Sequence, residues 1–488
     1  MKRNLKHKSL LLLVLLLTAA LLLAACGEVS SQTGTEADSA AQSAANNSTQ
    51  SAANNSAQSG ADSNPVSVGG DDEQSGWSDL SGQGSGSASG SATVSGSGST
   101  SEVFAEAFSE RDLSGAYDDA VYTITLTGDG ASSDSDQVSV SGSTVTVSGA
   151  GTYLVSGSLS DGSIVVEATK EDKVQLVLSG VSISSSDFAA IYVKQADKVF
   201  ITLAEGTENS LSNGGSYVQQ DENEVDSVIF AKDDITLNGS GSLTITAASG
   251  SGVVGKDEVT VTGGSYLITA DQNGIRAKDS LAIADGSFTI TAGSDGLHAE
   301  NGDDESLGNL YIAGGSFNIQ VKDDGIHANT LLQIDGGSIQ ISAAEGLEAT
   351  YIQINGGEIS ISASDDGVNA AQKSSVYTPT FEMNDGSLTI VMGGGDTDAV
   401  DSNGNIVVNG GTINITAQSS FDCDGSAQYN GGTIIVNGQQ IDSIPNQFMG
   451  GGMGGFGGMG GMGGNGAGNG TGNGGFGGGG FGGGGGRR

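Results

Sequence analysis

The sequence has little of the material from which a conventional globular core is built. In 488 residues, apolar residues make up 36% and aromatic residues 5%, and proline occurs 3 times against 83 glycines. An apolar fraction this small cannot fill the several cores that the chain length would allow. Much of the chain must therefore be linker, or belong to a fold that buries few side chains per residue.

Basic residues and cysteines are equally scarce. The 17 lysines and arginines face 57 aspartates and glutamates, which gives a net charge of −40. No nucleic-acid partner is expected, because such binding depends on basic side chains that neutralise phosphates. The two cysteines, Cys26 and Cys423, lie far apart in the sequence, which excludes a disulfide framework and a cysteine-rich zinc site. A bound metal is therefore expected to have oxygen ligands.

The N-terminal residues predict export and lipid anchoring. A basic start precedes an apolar run over residues 10–25, shorter than the roughly 20 residues that a membrane-spanning helix requires. The run ends in Leu-Ala-Ala-Cys, which resembles the bacterial lipoprotein processing box. We predict a lipoprotein signal peptide over 1–25 and lipidation of Cys26, with the protein anchored at the extracellular face of the cell membrane. An ordinary signal peptide with a chance cysteine is the alternative.

Two low-complexity segments flank a central domain. Residues 26–115 consist mainly of Ser, Gly, Ala, Gln and Asn, and residues 447–488 are rich in glycine. Because so few apolar side chains cannot offset the entropy lost on ordering, we predict a disordered tether and a disordered tail. The folded domain is expected to span residues 116–446.

A short sequence word repeats through the folded domain. It reads Gly-Gly-Ser/Thr-apolar-x-apolar, or a close variant, and recurs every 20 to 29 residues, the window typical of solenoids. The second glycines of the copies are Gly241, Gly264, Gly286, Gly315, Gly337, Gly357, Gly386, Gly411 and Gly432.

Each repeat predicts three short strands and no helix. Alternating apolar residues follow the glycine pair, a second strand precedes it, and a third follows the word acid-Gly-apolar-x-Ala. This pattern predicts an all-β, single-stranded parallel β-helix with about 22 residues per coil. Leucine-rich repeats have similar periods but need a helical or leucine-rich half that is absent. Residues 121–230 are expected to form the first coils and their cap. One inward column should contain Ile268, Ile290, Ile319, Ile341, Ile361, Ile390 and Ile415.

Several runs in the domain closely resemble a family of bacterial extracellular carbohydrate-binding lipoproteins. The likeness extends over roughly residues 118–445. It implies a right-handed parallel β-helix related to the β-helical polysaccharide lyases, with binding of calcium, cellulose-like material and acidic pectic sugars but without established lyase activity. The runs that carry it are Thr152 to Gly157, Val174 to Gly180, Ile201 to Thr207, Asp233 to Gly239 and Gly274 to Ser280.

Acidic residues recur at one position of the coil. The residue before the third-strand glycine is Asp295, Asp324, Glu345 and Asp366 in successive copies. Carboxylates about 4.8 Å apart repel by roughly 3.5 kcal/mol at an effective dielectric of 20, and Ca²⁺ would relieve this because it takes six to eight oxygen ligands. Solvated turn acids are the alternative. Further ligands are expected at the same edge from Asp323, Asp365, Asp396, Asp398 and Asp401.

Two neighbouring columns of the coil, two and four residues after the third-strand glycine, predict the one local cationic strip. We expect its members to hold the carboxylates of an acidic polysaccharide despite the overall negative charge, more strongly toward pH 6 as the histidines protonate. Salt bridges to neighbouring acids are the alternative. Tyr311 and Tyr351 are the expected outward aromatic rings, and Asn355, Asn384, Asn409 and Asn430 suggest an internal amide ladder. The strip contains Lys256, Arg276, Lys278, His298 and His327.

Three classes of function remain at this stage. The first is a surface-anchored, calcium-dependent protein that binds a plant-type, acidic or cellulose-like polysaccharide, without enzymatic activity and as a monomer. The second is a pectate-lyase-like enzyme in which Arg276 or Lys278 takes the proton next to a uronate carboxylate. The third is a calcium-stabilised adhesin or wall spacer with no sugar site.

Overall fold

The computed structural model describes residues 100, 103–117, 121–394 and 397–445. This part of the chain contains 36 β-strands and no α-helix. Most strands pair in parallel with the strand three places further along the chain, as β13 does with β16 and β16 with β19. The described chain is therefore an all-β solenoid with three strands per coil, as the repeats predict. Its right-handed sense stays a prediction.

The solenoid has three faces, named here in the order in which a coil visits them. The strands of the first face are β10 (Glu208–Asn213), β13 (Ser242–Ala247), β16 (Ser265–Ala270), β19 (Ser287–Ala292), β22 (Ser316–Val321), β24 (Ser338–Ala343), β26 (Glu358–Ala363), β29 (Ser387–Met392), β32 (Thr412–Thr416) and β35 (Thr433–Val436). Those of the second face are β4 (Thr144–Val147), β6 (Ser163–Glu167), β8 (Ile191–Gln195), β11 (Ser227–Ala231), β14 (Ser251–Gly255), β17 (Ile275–Ala277), β20 (Leu297–Ala299), β27 (Val368–Ala370), β30 (Val400–Ser402) and β33 (Asp422–Cys423).

The third face follows the second in each coil. Its strands are β9 (Lys198–Leu203), β12 (Asp234–Gly239), β15 (Glu258–Val261), β18 (Ser280–Ile283), β21 (Asn309–Ile312), β28 (Thr380–Met383), β31 (Asn405–Val408) and β34 (Ala427–Tyr429). Longer strands turn a corner and belong to two faces, namely β1 (Tyr122–Gly128), β5 (Gly151–Leu159), β7 (Lys173–Ser185), β23 (Asp324–Ile334) and β25 (Glu345–Ile354). Antiparallel strands close the ends: β2 (Ala131–Ser133), β3 (Val138–Ser141) and β36 (Gln439–Ile441).

Stacked aliphatic columns fill the interior. The seven isoleucines of the predicted column pair in register from Ile268 to Ile415, and each is at most 4% exposed, so this prediction is confirmed. Beside them the rings of Tyr266, Phe288 and Phe317 stack at centroid distances of 5.1 and 4.7 Å. Each coil thus adds only a few inward side chains, which explains how a chain with so little apolar content can fold.

Two kinds of glycine fix the coil. The second glycine of a pair has a positive φ, for example 98° at Gly337, a conformation that other residues rarely adopt. The glycine after the acidic residue is required by packing instead. A Cβ on Gly296 would lie 2.5 Å from the Cγ2 of Ile319 and 2.6 Å from the carbonyl oxygen of Gly325. The chain therefore passes close to the next coil here, and the preceding acidic residue is held at a fixed place outside the core.

A leading segment, residues 103–117, packs across the third face and is called the strap below. Arg111 lies 4.4 Å from the centroid of the Phe200 ring, and Asp112 is 3% exposed, 2.8 Å from the Nζ of Lys198. Burial alone would raise the pKa of Asp112, but hydrogen bonds from Lys198, Ser109 and Thr236 outweigh it and lower the pKa to about 2. The strap thus includes residues that composition assigns to the tether, because its few apolar and charged side chains find partners on the solenoid.

Other N- and C-terminal predictions fall outside the described residues. These are the signal peptide over 1–25, lipidation at Cys26, the tether up to residue 99 and the tail over 447–488. Within the described part of the chain, no helix has the length and apolar character needed to cross a membrane.

The predicted amide ladder is present, but it lies on the outside. Asn384, Asn409 and Asn430 each donate from Nδ2 to the Oδ1 of the asparagine one coil earlier, in each case at 2.8 Å. The last two asparagines are exposed, so the expectation of an internal ladder was wrong. The ladder replaces contacts with water by a continuous chain of hydrogen bonds along one corner.

Candidate functional site

One outward row of the second face changes character along the solenoid. In its early coils the row consists of Tyr192, Phe230 and Val254, which are buried under the chain excursion that includes Tyr217 and Val225. Beyond this cover the row becomes polar. In register order it continues with Arg276, His298, His327, Glu348, Asn369, Asp401 and Asp422.

The acidic residues before the third-strand glycines form a ladder beside this row. Two of these carboxylates bind the next coil: the Oδ1 of Asp295 accepts the backbone N–H of Asp324 at 3.0 Å, and the Oδ1 of Asp366 accepts that of Asp398 at 3.1 Å. The Oδ1 of Asn273 likewise accepts the backbone N–H of Asp295 at 3.1 Å. Two members of the ladder therefore link successive coils and keep their second carboxylate oxygen for other partners. The ladder consists of Asp295, Asp324, Glu345 and Asp366.

The two histidines are held by these acids. The Nδ1 of His298 lies 2.6 Å from the Oδ2 of Asp295, and the Nδ1 of His327 lies 2.8 Å from both the Oδ2 of Asp324 and the Oε2 of Glu348. Their rings stack with centroids 4.6 Å apart. Burial alone would lower the pKa of His327, but the two carboxylates outweigh it and raise it to about 10. At neutral pH its charge is already present and paired.

This arrangement changes the expected function of the histidines. From the sequence, His298 and His327 are expected to become charged near pH 6 and to face a ligand. The structure places both histidines in the outward row of the second face, but each faces a carboxylate of its own chain, and the pKa of each is raised. Both histidines pair with the ladder, and the pKa of about 10 means that His327 gains no further charge near pH 6.

Glu348, Asn369 and Lys373 belong to the site although no function was assigned to them from sequence. Burial alone would raise the pKa of Glu348, but hydrogen bonds from His327 and Lys373 lower it to about 2. The Nζ of Lys373 lies 2.7 Å from the Oε1 of Glu348, and Asn369 donates from Nδ2 to the Oε2 of Glu345 at 2.9 Å. The strand register could have identified Glu348, which directly follows His327 in the row.

Three carboxylates come close enough to share a cation. Asp295, Asp323 and Asp324 each offer an oxygen within 4.8 Å of the others. An all-carboxylate donor set fits Ca²⁺, which prefers oxygen ligands in flexible geometry. A second group with the same spacing, Asp324, His327 and Glu348, includes an imidazole, which suits Ca²⁺ less well. The two groups share Asp324.

The remaining predicted ligands lie elsewhere on the ladder. Glu345, Asp365 and Asp366 do not join either close group among the described residues, and Asp365 is exposed. Burial, with the charge of neighbouring acids, raises the pKa of Glu345 to about 7 and that of Asp366 to about 6. Burial likewise raises the pKa of Asp324 and of Asp401 to about 6. Asp396 lies outside the described residues.

The predicted lysines and arginine share one groove on the second face. Lys256, Arg276 and Lys278 line it together with Glu300, and it encloses about 220 Å³. The Nη2 of Arg276 lies 2.9 Å from the Oδ2 of Asp226. The Nζ of Lys278 lies 2.5 Å from the Oδ2 of Asp303. The cations are therefore adjacent as expected, and two of them also form the salt bridges that were the alternative. Their function in binding stays a prediction.

The aromatic residues expected on the outside do not provide a flat surface. The ring of Tyr311 stacks against Phe104 of the strap with centroids 4.7 Å apart and an angle of 14°. The hydroxyl of Tyr351 donates to Glu382 at 2.5 Å, and its ring lies 5.3 Å from that of Tyr377. Polar and charged groups, rather than open rings, dominate the exposed half of the second face.

Two known proteins are similar to parts of this chain. A protein of Acetivibrio thermocellus described as a carbohydrate-binding domain-containing protein is 38% identical over 128 residues, which is 26% of this chain and 45% of that protein. The chain thus matches less than half of that relative. A solved structure titled as a polysaccharide lyase-like protein from C. thermocellum, in a gadolinium derivative, is 32% identical, covers 49% of this chain and 94% of its own, and has a TM-score of 0.44.

A family model gives the widest match. The model described as carbohydrate-binding domain-containing protein matches residues 141–396 and 345–443. Together these ranges include most of the solenoid and more than half of the whole chain. They contain the cationic groove and the entire acidic ladder. The chain therefore belongs to the family of carbohydrate-binding domain-containing proteins.

Proposed function

We propose that the second face binds an acidic polysaccharide with the help of Ca²⁺. The observation that carries this proposal is the placement of charge in a chain whose net charge is −40. Lys256, Arg276 and Lys278 share one groove, and Arg276 pairs in register with His298, the residue bound to the first carboxylate of the all-carboxylate group. Family membership supports a saccharide as the ligand.

The chemistry of the two neighbouring sites is complementary. A uronate carboxylate can replace Asp226 or Asp303 as the partner of Arg276 or Lys278, and the guanidinium can hold it through two parallel hydrogen bonds. Ca²⁺, held by Asp295, Asp323 and Asp324, would supply positive charge to a further uronate. The local field of the face can then attract an anion although the protein as a whole repels it.

Two observations weigh against the lyase alternative. A proton-abstracting base must be neutral before it reacts, whereas the hydrogen bond to Asp303 raises the pKa of Lys278. Arg276 is already engaged, because its Nη2 is paired with Asp226. The geometry therefore favours binding over proton abstraction. An adhesin or spacer without a sugar site remains the competing class.

A glycan array probed with and without chelator separates these classes. We expect retention of polygalacturonate and related acidic glycans in millimolar Ca²⁺, with loss of the signal after chelation. Binding of no glycan under either condition would favour the spacer. Release of ultraviolet-absorbing unsaturated sugar from pectate would favour the lyase. Equal binding with and without chelator would contradict the calcium dependence.

We also propose that the protein is anchored to the outer side of the cell membrane through Cys26, on the strength of the sequence alone. Replacing Cys26 by serine removes the thiol that would accept the lipid. The Cys26→Ser variant is expected to leave the membrane fraction or to remain unprocessed, as measured by fractionation and labelling with a radioactive fatty acid. The matched control is Cys423→Ser, because Cys423 is buried in the solenoid. Continued lipid labelling of Cys26→Ser would contradict the anchor.

A further inference from the structure

A groove lies between the strap and the third face and shares no lining residue with the charged groove of the second face, although Lys278 of that groove directly precedes Asp279 of this one. It encloses about 620 Å³, within the range of roughly 300–1,000 Å³ that is typical of small-molecule sites. Strap residues 103–107 form one wall. Strands β15, β18 and β21, with the loop before β21, form the other. The groove is therefore built from segments far apart in sequence.

The wall formed by the solenoid is polar. Glu258, Thr260, Ser280 and Asn309 line it, and these residues offer a carboxylate, two hydroxyls and an amide. Asn309 is 6% exposed and donates from Nδ2 to the carbonyl oxygen of Ser306 at 2.9 Å. Its Oδ1 is buried and has no hydrogen-bond partner among the described residues. A buried acceptor without a donor costs free energy, and this one belongs to a residue that lines the groove.

The wall formed by the strap is largely apolar. Phe104, Ala105 and Ala107 line the groove there, with Leu307 at its end. Phe104 is fixed by its stacking on Tyr311, so this wall has a defined shape. A groove with one apolar wall and one wall of hydroxyl, amide and carboxylate groups matches a pyranose ring, which presents C–H groups on its faces and hydroxyls at its edge.

The charges in the groove select among sugars. The lining contains Glu106, Glu258 and Asp279 but no lysine, arginine or histidine. A uronate would meet like charge here, whereas carboxylates are good acceptors for the hydroxyls of an uncharged sugar. We propose that this groove is a second saccharide site, which takes one or two residues of a neutral sugar and acts independently of the acidic-polysaccharide site.

Saturation-transfer NMR on the full-length protein tests this site, with cellobiose, maltose and digalacturonate as probes. We expect transfer to at least one neutral disaccharide. Transfer should fall at least threefold in Glu258→Ala, which removes an acceptor, and in Ala105→Trp, which fills the groove from an exposed strap position. The control is Glu358→Ala, because Glu358 is an exposed carboxylate on the first face.

The outcomes separate this proposal from the one for the second face. Neutral-sugar binding that persists in the Arg276→Ala/Lys278→Ala double variant supports an independent site. Loss of neutral-sugar binding in that double variant, with Glu258→Ala and Ala105→Trp unaffected, would assign both ligands to the second face and overturn the proposal. Absence of transfer to either neutral disaccharide in the parent would overturn it as well.

Discussion

Replacement of Ile319 by aspartate is expected to unfold several coils of the solenoid. Ile319 is 1% exposed and pairs in register with Ile290 on one side and Ile341 on the other. A carboxylate there would be buried among aliphatic side chains without a partner, which costs several kcal/mol even if it becomes protonated. The Cγ2 of Ile319 also packs over Gly296, the glycine that follows Asp295. The substitution should therefore also disturb the position of Asp295 in the acidic ladder.

The expected loss in the free energy of unfolding is on the order of 5 kcal/mol or more. Thermal unfolding followed by circular dichroism measures it. The matched control is Asn318→Asp, because Asn318 is the preceding residue of the same strand and is exposed. The control should melt within a few degrees of the parent. Equal melting of Ile319→Asp and the parent would contradict the inward column.

Chelated protein is expected to lose stability as the pH rises from about 4 to about 7. In the folded state the pKa values of Asp324 and Asp366 are raised to about 6 and that of Glu345 to about 7. The folded state therefore binds more protons than the unfolded state in this window, and stability must fall with pH. His327 acts in the same direction above pH 6.5, because its pKa is raised to about 10. The change should be on the order of 2 kcal/mol or more.

Ca²⁺ should offset part of this loss, because Asp324 belongs to the close carboxylate group. Binding to the native state adds about 2.7 kcal/mol at a concentration 100 times Kd, so the melting temperature at pH 7 should rise on addition of Ca²⁺ and fall with chelator. Mg²⁺ should substitute poorly, since it resists dehydration and demands octahedral geometry. Differential scanning calorimetry from pH 4 to pH 8, with Ca²⁺ or chelator, measures both effects.

A single substitution tests which carboxylates are responsible. Asp295→Asn keeps an amide oxygen for the backbone N–H of Asp324, as Asn273 does naturally one coil earlier, but removes a charged ligand. It should reduce the calcium-dependent shift strongly. Asp365→Asn is the control, because Asp365 is exposed and lies outside the close carboxylate group. A melting temperature that ignores chelator in the parent would mean that the ladder holds no cation.

The coil was predictable because its determinants are local. Alternation such as Phe317, Asn318 and Ile319 reports directly which side chains face inward. The glycine pairs mark positive-φ turns such as Gly337, and the spacing between copies gives the length of a coil. Equivalent residues of successive coils therefore align, which is why the sequence alone predicts the acidic ladder and the cationic strip.

Partners of the site residues were not predictable, because they come from distant parts of the chain. Arg276 binds Asp226, 50 residues earlier, and Phe104 stacks on Tyr311 from the strap. Protonation also depends on such partners. Nothing in the sequence around His327 indicates a shifted pKa, yet the buried carboxylates of Asp324 and Glu348 hold its proton. Composition also does not predict the strap, because the few side chains that contact the solenoid lie among residues typical of a disordered segment.

The affinity for polygalacturonate oligomers, measured by titration calorimetry in Ca²⁺, tests the central claim most directly. The Arg276→Ala/Lys278→Ala double variant should bind at least tenfold more weakly than the parent, because it loses two charge-assisted contacts. Its calcium-dependent melting shift should be unchanged. The control is Lys173→Ala/Lys194→Ala, which removes two ion-paired lysines outside the groove and should bind like the parent. Parental affinity in the Arg276→Ala/Lys278→Ala variant, or an equal loss in the control, would contradict the assignment of the site.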